Sequence, residues 1–332
     1  MKWLVTGGCG FIGTALVGDI LAEGGHGVRV VDNLSVGSRE DLGRAAPFTE
    51  TTAPDPSGPK EGEAVELVVG DILDEDLALR AASGCDVIVH LAANTGVAPS
   101  VADPRKDCVT NVIGTLNYLE AARRRGVRRF VQASSGAPVG ECTPPIHEEI
   151  PPRPVSPYGA SKLAGEAYCS AYFRTFGVET VALRFGNVYG PGSGHKSSVV
   201  ARFIRRALLG QPLEIYGDGR QTRDFLYIDD LVRAVRLAAT APGAAGEVFQ
   251  IATAAETTVS EIVALLVPLL EARGVTGITV RHAERRPGDV TRNFSDTSKA
   301  ARILGWRPET ALPEGLARTV AWFLERRPLA ED

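Results

Sequence analysis

The sequence predicts an α/β fold, a doubly wound parallel sheet with a smaller C-terminal α/β lobe. Two observations carry this. Short apolar runs alternate with helical periods through the first half of the chain. A glycine triplet, Gly7, Gly10 and Gly13, joins the first apolar run to the first helical period. At 332 residues the chain is long enough for two lobes with a buried core.

Taken in order, residues 3–6 read as a strand, 10–23 as a helix and 28–32 as a second strand. Residues 65–69 and 87–91 read as the third and fourth strands. A helix over 110–125, a strand over 129–133, a helix over 158–176 and a strand over 179–184 follow. This alternation implies parallel strands covered by helices on both faces, joined by right-handed crossovers. Residues 43–63, rich in Pro, Thr, Gly and acid and without apolar periodicity, read as a mobile surface loop between the second and third strands. Beyond Arg184 the pattern loosens into shorter elements. The expected division is a dinucleotide-binding domain over 1–185, to which the chain returns around 224–255, and a substrate domain over 186–332. Thr258 and Glu261 form a capping box ahead of the apolar run 262–270.

Composition narrows the partners. Hydrophobic content of 44% and charged content of 23% are those of a globular protein. A net charge of −4 gives no electrostatic reason for nucleic acid or an anionic membrane. The basic cluster Arg123, Arg124, Arg125, Arg128 and Arg129 reads as a solvated helix end. Five scattered cysteines without a C-x-x-C pair argue against a disulfide framework and a zinc site, so no metal is expected. The glycine cluster comes too early for a signal-peptide apolar region, and the run 262–270 is short and holds Pro268. The expected location is cytoplasmic.

The glycine triplet has a physical purpose. The chain must turn tightly, let its backbone approach a pyrophosphate and pack a helix close to the sheet. The phosphates then meet the positive end of that helix. Asp32 ends the second strand nineteen positions after Gly13. A carboxylate there binds ribose hydroxyls and repels a 2′-phosphate, which favours NAD over NADP.

Tyr158 and Lys162, four apart at the start of a helix, share one face. Ser134 and Ser135 end the preceding strand, where a doubly wound sheet places its ligands. A tyrosine, with a pKa of ~10, is a poor base at neutral pH. A nearby ammonium and an oxidised nicotinamide ring both favour the phenolate. Moving the pKa to about 7 takes roughly 4 kcal/mol.

With these residues in view, the chain resembles the extended short-chain dehydrogenases/reductases that act on nucleotide sugars, closest to the UDP-hexose 4-epimerases. The likeness runs through Gly7-Gly8-Cys9-Gly10-Phe11-Ile12-Gly13, Gly70-Asp71-Ile72, His90-Leu91-Ala92-Ala93 and Asn111-x-x-Gly114-Thr115. It continues through Ser134-Ser135, Tyr158 to Lys162, the stretch from Arg184 to Pro191, Arg223-Asp224-Phe225 and Arg286-Pro287-Gly288-Asp289. It ends at Asp296 to Lys299 and Leu304-Gly305-Trp306. The resemblance implies a Rossmann-like fold, bound NAD and a nucleotide-sugar substrate, UDP-linked. Phe11, Ile12, Asn33, Asp71, Ile72, Leu91, Ala92, Ala93, Asn111, Ser134 and Phe185 would contact the cofactor together with the glycines, Asp32, Tyr158 and Lys162. Asn187, Arg223 and Arg286 would grip the diphosphate, and Arg forks suit phosphate oxygens. Ser135 would touch the sugar, Asn293 would gate its C2 substituent, and helices 110–125 and 158–176 would pair in a homodimer.

The residues after Ser135 separate the family's reactions. The 4,6-dehydratases carry Asp-Glu there, the decarboxylases a Glu and the 3,5-epimerases a Cys at the second position. Gly136 and Ala137 cannot move a proton, which leaves 4-epimerisation, with Ser135, Tyr158 and Lys162 as catalytic residues. A net 4-ketoreductase would use the same three residues. A sensor protein on the same fold is the remaining rival, and the intact Tyr158 and Lys162 speak against it. Pro138 and Val139 depart from the family's usual Val-Tyr pair. His195 and Lys196 could meet a substrate carboxylate, although a solvent-facing pair is the simpler reading.

Overall fold

The computed structural model describes residues 1–284 and 291–326. The first half builds β1 (Lys2–Thr6), α1 (Phe11–Glu23), β2 (Gly27–Asp32), α2 (Arg39–Ala45), β3 (Phe48–Glu50), β4 (Val65–Val69), α3 (Glu75–Ala82) and β5 (Val87–His90). Then come α4 (Val97–Ala102), α5 (Pro104–Cys108), one stretch of π-helix (Val109–Ile113), α6 (Gly114–Arg125), β6 (Arg129–Ser135), α7 (Pro157–Phe176) and β7 (Glu179–Phe185).

The later part contains β8 (Asn187–Tyr189), a 3₁₀ turn (Ser193–His195), α8 (Val199–Leu208), β9 (Leu213–Tyr216), β10 (Thr222–Arg223), β11 (Phe225–Tyr227) and α9 (Ile228–Thr240). It closes with β12 (Glu247–Ile251), β13 (Thr257–Thr258), α10 (Val259–Glu271), β14 (Val280–Ala283), α11 (Ser298–Leu304) and α12 (Leu312–Glu325).

Eight strands form one sheet in the order β12-β7-β6-β5-β1-β2-β4-β3, all pairings parallel. The predicted doubly wound sheet is therefore present. Its strands bury both faces, as their alternation requires. Trp3, Val5, Val30 and Val89 join one core with Leu16, Ile20 and Leu231, while Leu4, Val31, Ile88 and Phe130 join the other with Leu77, Tyr118 and Tyr172. Chain order reverses between β1 and β5, and the cleft outside their C-terminal ends is where such sheets bind ligands. The expected capping box is present at the start of α10.

Three expectations are corrected. Residues 43–63 are not a free loop: Gly43 lies in α2, and Phe48–Glu50 is the outermost strand of the sheet. The rest is nailed down, with Arg29 donating to the Asp55 carbonyl at 2.7 Å and Lys2 to that of Ser57 at 2.6 Å. The strands read as third and fourth are thus β4 and β5. The helix read from 110 is preceded by α5 and passes through the π-helical stretch, a form often found at functional sites. In the basic cluster, Arg129 is buried, paired with Glu179 at 2.9 Å and donating to the Ala238 carbonyl at 2.6 Å.

Candidate active site

The glycine turn is shaped by contacts that admit no side chain. Gly7 has φ +70°, and a Cβ there would lie 2.9 Å from the Ala92 nitrogen. A Cβ on Gly13 would lie 2.2 Å from the Gly7 carbonyl oxygen, and one on Gly10 at 3.3 Å from it. Gly37, which the sequence did not single out, seals the turn from above: its Cβ would lie 2.2 Å from the Cys9 carbonyl oxygen. Phe11 and Ile12 open α1 half-buried.

Asp32 accepts from the Cys9 N–H at 2.9 Å with one carboxylate oxygen and from the Leu34 N–H at 2.8 Å with the other. Burial pushes its carboxyl above the usual range, opposed by those two N–H donors. Each oxygen retains acceptor capacity for a ribose hydroxyl. Beside it, Asn33 donates to Asp71 at 3.0 Å, and Asn117, another residue not foreseen, donates to the Ile72 carbonyl at 3.0 Å. Asp32, Asn33, Asp71 and Ile72 thus converge at the ends of β2 and β4. A cradle closed to a Cβ at Gly7 and Gly13, next to a fixed carboxylate, fits a dinucleotide whose pyrophosphate meets the N-terminus of α1.

Leu91, Ala92 and Ala93 form the turn after β5, held by the Ala92 N–H donating to the Thr6 hydroxyl at 3.2 Å. Asn111 sits on the π-helical stretch, and its amide donates to the Asn94 carbonyl at 3.0 Å, to Asp107 at 3.1 Å and to the Ser161 hydroxyl at 3.0 Å. It also accepts from the Asn94 N–H at 2.8 Å. It therefore clamps the turn after β5 to α7.

Ser135 and Phe185 are register neighbours at the ends of β6 and β7. Ser156 caps α7 by accepting from the Gly159 N–H at 3.1 Å, and Pro157 opens the helix. This sets Tyr158 and Lys162 in the first turns of α7, facing the strand ends. Lys162 is buried and donates to the Ala133 carbonyl at 2.9 Å, with its ammonium 5.9 Å from the Tyr158 ring centre. Burial pushes the half-buried Tyr158 up to about 12; its hydrogen bond with Ser135 works the other way, and Asp107 adds to the rise. Burial brings Lys162 down to about 8, opposed by Asp107 and Glu166. The Lys162 ammonium is turned onto the Ala133 carbonyl, and burial works against ionisation of the phenol.

Ser134 is turned away from the cleft. Its hydroxyl donates to Glu166 at 2.6 Å, and Arg184 holds both oxygens of Glu166 at 2.8 and 2.7 Å. This buried pair braces β6, β7 and α7 beneath the site. Its only sequence signal was the four-residue spacing of Lys162 and Glu166. Arg184→Met is expected to cost about 3–5 kcal/mol, because it leaves Glu166 buried without its cation. Urea unfolding measures this, and a loss below about 1 kcal/mol would contradict it.

Beyond the strand ends, Asn187, Ser198, Tyr216, Gln221 and Arg223 line a second cavity that adjoins β8 and β9. The Asn293 N–H donates at 3.2 Å to the hydroxyl of Thr222, which lies in sequence between the lining residues Gln221 and Arg223. Arg286 lies outside the described residues. His195 is exposed, as the simpler reading had it. Lys196 is not solvent-facing: it is half-buried, with its ammonium 5.0 Å from the Phe11 ring centre. A Cβ on Gly136 would meet nothing within 4 Å, so the space next to Ser135 is open. Among the described residues, no cluster of His, Cys, Asp and Glu could hold a metal ion, and no helix is long and apolar enough to cross a membrane.

The profile of the NAD dependent epimerase/dehydratase family matches residues 3–252, most of the chain. The chain belongs to that family. Among relatives, a UDP-glucose 4-epimerase of Mycolicibacterium smegmatis is 39% identical over 97% of this chain and 98% of its own. A dTDP-glucose 4,6-dehydratase of Streptomyces niveus is 34% identical over 98% of this chain and 94% of its own. Among solved structures, the UDP-glucose 4-epimerase of Thermotoga maritima, crystallised with UDP-glucose, superposes with a TM-score of 0.85 at 38% identity. It covers 98% of this chain and 99% of the other. As a member of this NAD-dependent family the chain is an enzyme of the epimerase/dehydratase class, and the glycine cradle with Asp32 is where its residues fit NAD.

Proposed function

We propose that the chain is a nucleotide-sugar 4-epimerase that inverts C4 of a UDP-hexose. One observation carries the choice within the family: Ser135, Tyr158 and Lys162 stand together, while the adjoining Gly136 and Ala137 offer no acid or base. A dehydratase must remove a proton from carbon and expel water, and among the described residues Gly136 and Ala137, next to the serine, supply no group for that work.

NAD, when bound, would oxidise C4 to the ketone and reduce it again. This chain's own residues handle protons and position. The Tyr158 oxygen takes the proton of the C4 hydroxyl and later returns it. Ser135, which acts on the Tyr158 phenol, holds the same sugar oxygen. Lys162, fixed by the Ala133 carbonyl, would hold the cofactor ribose and keeps positive charge near the phenol. Asn187, Arg223 and Arg286 grip the diphosphate, which leaves the sugar free to present either face. Because burial raises the phenol, a positive charge beside it favours Tyr158 as a base.

The open space beside Gly136 supports a substrate with bulk near the reacting carbon, and the mid-sized polar Asn293 suits either a hydroxyl or an acetamido group at C2. The exposed apolar residues Val97, Val101, Ile113, Tyr168 and Phe176 on and beside α4, α6 and α7 support a two-fold dimer through these helices. Light scattering tests this, and a monomeric mass would sink it.

A net 4-ketoreductase is the second reading, since it needs the same three residues. Incubating the NAD-loaded enzyme separately with UDP-glucose, UDP-GlcNAc and UDP-glucuronate separates the two. Proton NMR should find the C4 epimer of one of them without accumulation of NADH. Net NADH with a stable 4-keto product would favour the ketoreductase.

A further inference from the structure

We propose that Asp107 is a positioning residue for the Tyr158–Lys162 pair, holding Asn111 with one carboxylate oxygen and supplying the negative charge that balances the buried Lys162 ammonium. This rests on the reading of Tyr158 as the base.

Asp107 lies on α5 directly after two exposed basic residues, Arg105 and Lys106, yet its own side chain is wholly buried. One oxygen accepts from Asn111 at 3.1 Å and from Asn94 at 3.4 Å. The other has no hydrogen-bond partner among the described residues. A carboxylate hidden from water in this way costs several kcal/mol unless a cation compensates it. The elements packed against α5 are α4, the π-helical stretch and α7. The first two carry no titratable side chain, so among the described residues the groups on α7 that bear on Asp107 and its partner are Tyr158 and Lys162, with Glu166 acting on Lys162. Glu166 is committed to Arg184. Behind Lys162 lies buried His90, which burial and the Lys162 charge bring down to about 3, so it stays neutral. Among the described residues on these elements, Lys162 is the cation whose charge couples to Asp107.

The same side chain also fixes geometry. Through Asn111 it reaches Asn94 in the turn after β5 and the Ser161 hydroxyl, which donates to the Tyr158 carbonyl at 3.1 Å. Cofactor turn, π-helical stretch and catalytic helix are thus joined at one carboxylate. The charge acts on both partners in one direction, raising Lys162 and Tyr158 alike. Lys162 therefore keeps its proton to higher pH than burial alone would allow, while Tyr158 depends more strongly on the charge of the bound oxidised cofactor.

The test uses Asp107→Asn and Asp107→Glu in the NAD-loaded enzyme. Activity should rise with pH as Tyr158 loses its proton and fall as Lys162 loses its own. Removing the negative charge lowers both, so both limbs of kcat/KM should move to lower pH, by about one unit. Asp107→Glu keeps the charge and should return the profile towards that of the parent. A second readout is the ultraviolet difference titration of Tyr158, taken against Tyr158→Phe, whose midpoint should fall with Asp107→Asn. If Asp107→Asn does not fold, Asp107→Ser, which buries no amide, is read in the same two ways. A rate loss with both the profile and the tyrosine midpoint unmoved would overturn the proposal. A shifted midpoint in a protein that converts no UDP-sugar would uphold it and sink the epimerase reading instead.

Discussion

Tyr158→Phe is expected to lower turnover by about 10³-fold while leaving nucleotide-sugar and NAD affinity within a factor of about three. The substitution removes one oxygen from a half-buried ring, and that oxygen is the group proposed to carry the C4 hydroxyl proton. The ring keeps its packing at the start of α7, so the fold should persist. The sign of the pH dependence follows from the site. The neutral phenol cannot accept a proton, and burial holds it neutral up to about 12 in the chain alone. The oxidation step should therefore speed up with rising pH through the tyrosine's cofactor-bound pKa, which must lie below that value for activity near neutrality. Tyr158→Phe should flatten this limb. Steady-state rates across pH and calorimetric binding check both parts. A variant within tenfold of the parent would remove Tyr158 from the proton path.

Gly13→Ala is expected to abolish NAD retention and with it all activity. A Cβ at Gly13 would lie 2.2 Å from the Gly7 oxygen and 2.5 Å from the Gly8 Cα, both backbone atoms that cannot swing aside. Relieving the overlap moves α1 away from the turn, and the helix N-terminus no longer meets the pyrophosphate. The purified variant should lack the cofactor absorbance, and equilibrium dialysis should find NAD affinity reduced at least about 100-fold, or 2.7 kcal/mol. Retained NAD would show that the close packing is not what shapes the cradle.

Much of this site was legible because its signals are local. The glycine turn between β1 and α1, Asp32 at the end of β2 and the four-residue spacing of Tyr158 and Lys162 depend on residues a few positions apart. Other features depend on tertiary placement. Phe48–Glu50 is too short for strand alternation to appear, and only its pairing with β4 makes it part of the sheet. The π-helical stretch at Asn111 adds a residue to a helical turn without changing the character of the sequence. Asp107, preceded by Arg105 and Lys106, has the pattern of a solvated helix, and Arg129 that of a solvated cluster, yet both are buried by neighbours distant in sequence. The spacing put Lys162 on the correct face, but only the fold turns its ammonium onto the Ala133 carbonyl.

The central claim is that chemistry is confined to one carbon–oxygen centre, with Tyr158 the only proton carrier. Conversion of the preferred UDP-sugar in deuterium oxide, followed by proton NMR, tests it most directly. The account predicts the C4 epimer with its carbon-bound hydrogens intact, since protons exchange only at the C4 oxygen. Solvent deuterium at C3, C5 or C6 would contradict it, because it would require a base acting on carbon that Gly136 and Ala137 cannot supply.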